Sequence, residues 1–526
     1  MAPSSSPRPT SPDGASGPSG APRAEVQARG LGTGGISIGF AKLFFLIAGY
    51  AVSTYLTYLV SPATYGDYNV LSQIIAIPNM VLIQTLLFAV SRPMAAEYGA
   101  GLPSYDGLRR RGFRVAFIAG GAVTAVLLLG AGPIAGYFLT DPALAEPLRV
   151  VAPIPLIYAV YAVNVGTLNA VRRFQLQATL DIVMAATKAG LIIGAAAVGF
   201  GLTQILGGFT LASLLALALS VAFVILSRPP RDPAAAPGPL APMARFAAVL
   251  AVFTAGVNLL QGFDLFVLKR LATTAAMEDA VGFYSSAALI ARVPYSMMNA
   301  VSLVMFPLIA TLHAARDSAE ISRYVGATAR VSVLLLAFMS SVCASAAPEV
   351  QRLLFPAAYS SAAGELRLLV WGLSGYSLTI TAAWIFNSAH RSRAAIALVA
   401  APLVAVAGLA LVLAPLYFTA GAALSVAIAG GVGAVLALLA LTRAFKARVS
   451  PLFFVKIAAA AGLVELAARA WSPAGKLGIL IKLAALAVVF VAAVATTRAV
   501  TPAELRALRR KPAGRAADVP AGDLGG

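Results

Sequence analysis

The stretch TQILGGFTLASLLALALSVAFVILS, residues 203–227, runs for 25 residues without a charge, and Arg228 follows at once. About 20 apolar residues cross about 30 Å of hydrocarbon as a helix. Working outward from it, thirteen more apolar stretches follow the same rule. They lie at 36–60, 69–91, 113–138, 148–169, 178–200, 244–270, 281–310, 325–347, 366–388, 394–416, 418–442, 452–471 and 476–497. The fold class this predicts is an all-α polytopic membrane protein of about 14 transmembrane helices.

Composition excludes the alternatives. The chain of 526 residues is 60% hydrophobic and 11% charged, with a mean hydropathy of +0.86. A soluble protein of this length would carry far more charge. The net charge of +19 sits in loops and the tail, where anionic headgroups meet it, so nucleic acid is not the expected partner. Cys343 is the only cysteine, which rules out an internal disulfide or a cysteine metal cluster. No GxxxxGK[ST] loop and no HExxH is present, so no catalytic residue, resident cofactor or metal is expected.

Charge also sets the orientation. Arg109, Arg110 and Arg111 follow the second span, Arg172 and Arg173 the fourth, Arg228 and Arg231 the sixth, and Arg391 and Arg393 the tenth. The alternate loops mix few basic residues with acids, among them Asp67, Asp141, Glu278 and Asp279. By the positive-inside rule both termini are expected in the cytoplasm, with the chain in the bacterial cytoplasmic membrane.

The chain repeats itself. Gly66 and Tyr68 open the second span as Gly282 and Tyr284 open the eighth, and Pro78 matches Pro294, all at one offset of 216 positions. Asn169 and Arg173 match Asn387 and Arg391 at an offset of 218. An even number of spans per copy gives both copies one orientation, related by an axis along the membrane normal. The expected organisation is a disordered cytoplasmic tail at 1–34, an N-lobe at 35–228, a cytoplasmic linker at 229–243 and a C-lobe at 244–442. Two additional helices at 443–498 and a basic tail at 499–526 complete it.

Polar residues inside spans are the candidate site, because an ionisable group there costs roughly 2.5–3.5 kcal/mol on insertion scales and needs a cavity or a partner. Arg292 lies ten residues past Gly282, about 15 Å deep. It shares a helical face with Ser285, Ser296 and Asn299, and the matching face of the other copy holds Asn69, Gln73 and Gln84. Thr254, Asn258, Gln261 and Asp264 make a stripe on the seventh span. Lys42 faces the same way as Gly49, Ser53 and Thr57, and Lys188 lies one heptad from Asp181 as a candidate partner. Asp264 is read either as a cation-binding acid or as the partner of Lys269. Glu465 and Arg469 are spaced as a helical ion pair.

Tyr65-Gly66-Asp67-Tyr68, Val281-Gly282-Phe283-Tyr284 and Val304-Met305-Phe306-Pro307, in this order and topology, resemble the polysaccharide transporter, or Wzx-type oligosaccharide flippase, family. Arg92 at the end of the second span fits as well, and the resemblance covers 36–442. It places the chain beside the drug antiporters (MATE) and lipid II flippases of the MOP superfamily. It implies two lobes alternating around a central cavity, and a polyprenyl-pyrophosphate-linked oligosaccharide as cargo. Membrane lipids and other polysaccharide assembly proteins would be the partners, and a proton or sodium gradient the energy source. On that reading Arg292, Lys42, Lys188, Gln73, Asn299, Asn258 and Gln261 bind substrate, and Asp264 couples the ion. The alternatives are a lipid II flippase, a drug/ion antiporter and, from another class, a membrane glycosyltransferase. Two extra spans are typical of lipid II flippases, yet the first span offers only Lys42 where those carry several arginines. It also lacks the acid common in sodium-type drug antiporters.

Overall fold

The computed structural model describes residues 21–99, 105–227, 241–314, 318–389, 391–447, 449–473 and 475–498. Among them every regular element is helical, as hydrocarbon demands, since a helix satisfies all of its backbone groups internally. The linker expected at 229–243 and the tail at 499–526 lie wholly or mostly outside the described residues.

In the first half, α1 spans Ala21–Leu59, α2 Pro62–Gly99, α3 Tyr105–Pro133, α4 Ala145–Val151, α5 Ile154–Ala170, α6 Phe174–Ala197 and α7 Leu202–Leu226. Helix α1 begins inside the tail expected to be disordered. The run Glu25–Arg29 consists largely of good helix formers, which outweigh the glycines beyond it. In the second half, α8 spans Ala241–Leu260, α9 Phe263–Leu271, α10 Ala275–Ala314, α11 Ser318–Ser345, α12 Ala347–Leu354, α13 Ala363–Ser388 and α14 Ser392–Phe445. Then come α15, Pro451–Arg469, and α16, Lys476–Thr496.

Among the described residues eleven helices are long and apolar enough to cross a membrane, or twelve with the bent α8–α9 pair taken as one span. The expected count of fourteen is not established by that number. The difference falls on two elements. Helix α10, of 40 residues, lies over the eighth expected span. Helix α14 has 54 residues and would be about 80 Å long if straight, far more than one span needs. It breaks at Phe418, where φ is 50° and ψ is −118°. A Cβ on Gly421 would overlap the Leu413 carbonyl, so glycine is what lets the chain turn there.

The halves repeat each other's packing. Helix α2 lies on α5 as α10 lies on α13, and α3 lies on α5 as α11 lies on α13. Gly66 and Gly282, the pair that opens the second and eighth expected spans, back onto each other, with a Cβ on Gly66 falling 3.0 Å from the Gly282 nitrogen. Equivalent residues meet only where a symmetry axis passes, so the sequence repeat is also a spatial one. Elsewhere small residues bring backbones together, as packing in lipid requires. Gly372 and Gly375 of α13 abut Gly430 of α14 so closely that a Cβ on any of them would overlap backbone. The last two helices pack on each other and against α11. The buried ion pair Lys482–Glu349, at 2.7 Å, ties α16 to α12.

Candidate functional site

The site begins with a break. Helices α8 and α9 meet at 50° across Gln261 and Gly262. There the Gln261 and Gly262 N–H groups turn back to the carbonyls of Asn258 and Leu259, at 3.2 Å each. A break inside a span frees carbonyls that hydrocarbon cannot satisfy. Arg292 of α10 supplies the missing donor, its Nη2 donating to the Gln261 carbonyl at 2.7 Å. The depth that made Arg292 stand out in the sequence thus has a structural counterpart. Its Nε is buried without an acceptor among the described residues, so the guanidinium keeps donors for an anion.

Amides gather around it. Gln73 of α2 donates to the Asn258 carbonyl at 3.4 Å. A Cβ on Gly262 would run into the Gln73 side chain, so glycine at the break is what admits that amide. The Gln261 side chain donates to the Val257 carbonyl and to the Tyr295 hydroxyl, both at 3.2 Å. The Thr254 hydroxyl donates to Gln84 Oε1 at 3.4 Å. The stripes on α2 and α8 therefore face each other, and Arg292 joins them from α10. Asn299 is on α10, with its side chain outside the described residues.

Asp264 is 6% exposed and accepts a hydrogen bond from the Tyr284 hydroxyl. The alternative pairing with Lys269 is not formed. Five residues of α9 place Lys269 more than a turn away, and its ammonium goes to Asp67, Asp141 and Glu278 instead. Tyr284 as the partner of Asp264 was legible only as half of a repeat pair, because a tyrosine in an apolar run gives no hint of what it donates to.

The two lysines stand apart from this cluster. Lys42 of α1 is 62% exposed along its side chain and pairs with Asp181 of α6 at 3.0 Å, where the Tyr161 hydroxyl also donates at 3.4 Å. The pair expected between Lys188 and Asp181 is therefore not made. Seven residues of helix separate them by about 10 Å, whereas Lys42 comes from the adjacent helix. Lys188 instead sits 3.6 Å from the centre of the Phe209 ring, where a cation meets the negative face of an aromatic. Glu465 and Arg469 do pair, at 3.1 Å. The Lys482–Glu349 pair escaped the sequence reading. Its only signal was Lys482, a cation six residues inside the last apolar span, which needs a partner.

Comparison with known proteins fits this architecture. The family model described as polysaccharide biosynthesis protein matches residues 107–363. A comparison with curated proteins found no match. Among solved structures the chain is similar to the lipid II flippase MurJ in an inward closed conformation, with a TM-score of 0.73 at 14% identity over 90% of this chain and 100% of that one. It is also similar to an inward-facing multidrug resistance MATE family transporter of the MOP superfamily, at a TM-score of 0.60 and 15% identity over 77% and 96% of the two chains. A MOP superfamily transporter from Pyrococcus furiosus Vc1 aligns at 0.60 and 16% identity, over 78% of this chain and 94% of that one. Over residues 107–363 the chain matches the polysaccharide biosynthesis protein family, and its fold is that of the membrane transporters and flippases of the MOP superfamily.

Proposed function

We propose that the protein is a flippase carrying a polyprenyl-pyrophosphate-linked oligosaccharide across the bacterial cytoplasmic membrane for surface polysaccharide assembly, by alternating access of two lobes. The observation that carries this reading is Arg292, a cation held in an intramembrane helix break with its Nε unpaired. A guanidinium with free donors suits a phosphate group, which accepts two parallel hydrogen bonds. The amides of Gln73, Asn258 and Gln261 surround the break, and amides offer both donors and acceptors to sugar hydroxyls. Asn299, one heptad past Arg292 in the sequence, is included in the proposed set on that spacing alone. The lipid tail needs no polar site and stays in the bilayer. Lys42 and Lys188 are engaged with Asp181 and with the Phe209 ring, so the proposed binding set is built on Arg292 and the amides.

Asp264 is the acid through which a proton or sodium ion would couple to the cycle. It lies beside the break that Arg292 caps, within reach of that charge, and accepts a hydrogen bond from the Tyr284 hydroxyl; among the described residues no direct ion pair holds it, so its charge can change without breaking one. A ligand shifts a two-state protein only by binding the two states differently, and neutralising one buried carboxylate does that.

A lipid II flippase is the second reading, favoured by the fold likeness to MurJ, which spans the whole of that chain. Purified protein in vesicles decides between them. Vesicles loaded with a fluorescent polyprenyl-pyrophosphate oligosaccharide or with fluorescent lipid II are treated with an impermeant quencher. Protein-dependent flipping of the oligosaccharide lipid alone supports the first reading, flipping of lipid II alone supports the second, and flipping of neither rejects both.

A further inference from the structure

At the end of the molecule that carries 61–67 and 139–147, one lysine sits between the halves. Lys269, the cation near the end of α9, has a side chain only 1% exposed. Its Nζ lies 2.6 Å from Asp67 and 2.9 Å from Asp141, both of the first half, and 3.6 Å from Glu278 of its own half. Weaker links flank it. The Ala63 N–H donates to Asp279 Oδ1 at 3.1 Å, and the Thr140 hydroxyl to the Arg270 carbonyl at 2.9 Å. The Arg270 guanidinium donates to the Phe138 carbonyl at 3.3 Å. Below them the Tyr65 ring meets Tyr359 edge-on at 6.1 Å, and Gly66 backs onto Gly282.

The charges facing this seam are Asp67 and Asp141 from one half, and Lys269, Arg270, Glu278 and Asp279 from the other. Carboxylates outnumber cations, and Lys269 is the one cation buried among three of them. It both attracts the opposite half and shields those carboxylates from one another. Arg270 spends its hydrogen bonds on backbone carbonyls, so it does not replace that shielding. Without Lys269, Asp67, Asp141 and Glu278 face one another across the seam, and like charges at close range repel.

We propose that Lys269 is the latch that holds this end of the protein shut, and that its withdrawal from Asp67 and Asp141 is the step that opens it. Arg292 lies ten residues along α10 from Gly282, about 15 Å below the seam, so cargo bound there would leave past this latch. The proposal rests on the transporter reading only for that passage. Its test needs no cargo, so it fails or stands independently of the flippase assay.

A single cysteine replaces Ser296, one turn from Arg292, in a Cys343→Ala background. Labelling by a membrane-impermeant maleimide is followed in intact cells and in inverted vesicles. Lys269→Met is expected to raise the labelling rate from the latched side by about tenfold or more, the scale on which breaking a buried charge pair shifts a two-state equilibrium. Adding Asp67→Asn and Asp141→Asn to Lys269→Met is expected to bring the rate back toward the parent, because the repulsion is gone. If Lys269→Met fails to reach the membrane, Asp67→Asn with Asp141→Asn alone is read instead, and a rise of severalfold is expected since Lys269 then lacks its partners across the seam. An unchanged rate in the readable variant overturns the proposal. A rise from the opposite side keeps the latch and overturns only the orientation drawn from the loop charges.

Discussion

Replacing Arg292 is the most informative perturbation of the site. The guanidinium has five N–H donors, of which one on Nη2 is spent on the Gln261 carbonyl at 2.7 Å and the one on Nε has no acceptor among the described residues. A phosphate meeting two of the free donors would gain two charge-assisted bonds, and losing one such bond costs roughly 1.5–3 kcal/mol. About 3 kcal/mol for the pair corresponds to roughly 100-fold in affinity. Arg292→Ala is therefore expected to weaken binding of a short-chain polyprenyl-pyrophosphate sugar by about two orders of magnitude, measured by titration calorimetry on purified protein. Arg292→Lys keeps the charge and a donor for the Gln261 carbonyl but loses the planar fork, so it is expected to fall between the two. Export of glycan at normal protein levels follows the same order. Since the alanine variant also strands a buried carbonyl, its melting temperature is read alongside the lysine variant. Parent-like affinity and export in a folded Arg292→Ala protein would refute the argument and leave Arg292 as a helix-break cap alone.

Three further expectations follow from the same geometry. Asp264→Asn keeps an acceptor for the Tyr284 hydroxyl but removes the charge, so transport driven by an imposed proton or sodium gradient is expected to drop to the no-gradient level while substrate binding persists; undiminished gradient-driven transport would exclude the coupling role. Lys482→Met leaves Glu349 buried and unpaired, at a cost of roughly 3–5 kcal/mol; a lower melting temperature in detergent is expected, largely restored by adding Glu349→Leu, and an unshifted melting curve for the single variant would show that the pair carries no stability. Cysteines at Thr64 and at Ala236, in a Cys343→Ala background, report topology in intact cells; labelling at 64 and none at 236 is expected, and the reverse pattern would invert the orientation.

The class of the protein was legible before any coordinates because hydrocarbon restricts what sequence can do. Runs such as 203–227 have one physical use, and the composition leaves no soluble alternative. The offset of 216 positions survived as a spatial fact in the contact of Gly66 with Gly282. Arg292 and the Asn258–Gln261 stripe were legible for a related reason, since a polar group in a span must be matched or hydrated. What stayed hidden was which group matches which. Spacing along a chain fixes neighbours within one helix, as Glu465 and Arg469 show. It says nothing about Lys269 reaching Asp141 across 128 residues, or Lys482 reaching Glu349 across 133. Lys188 and Asp181 share a helix but lie two turns apart, and the closer cation came from another helix. The break at Gln261 and Gly262 was equally silent, because one glycine in an apolar run is commonplace until Gln73 packs against it and Arg292 caps the carbonyl it frees. The sequence alone determined that these charges need partners, and the packing of the helices decided the partners, because a buried charge is satisfied by whatever group the fold brings within about 3 Å of it.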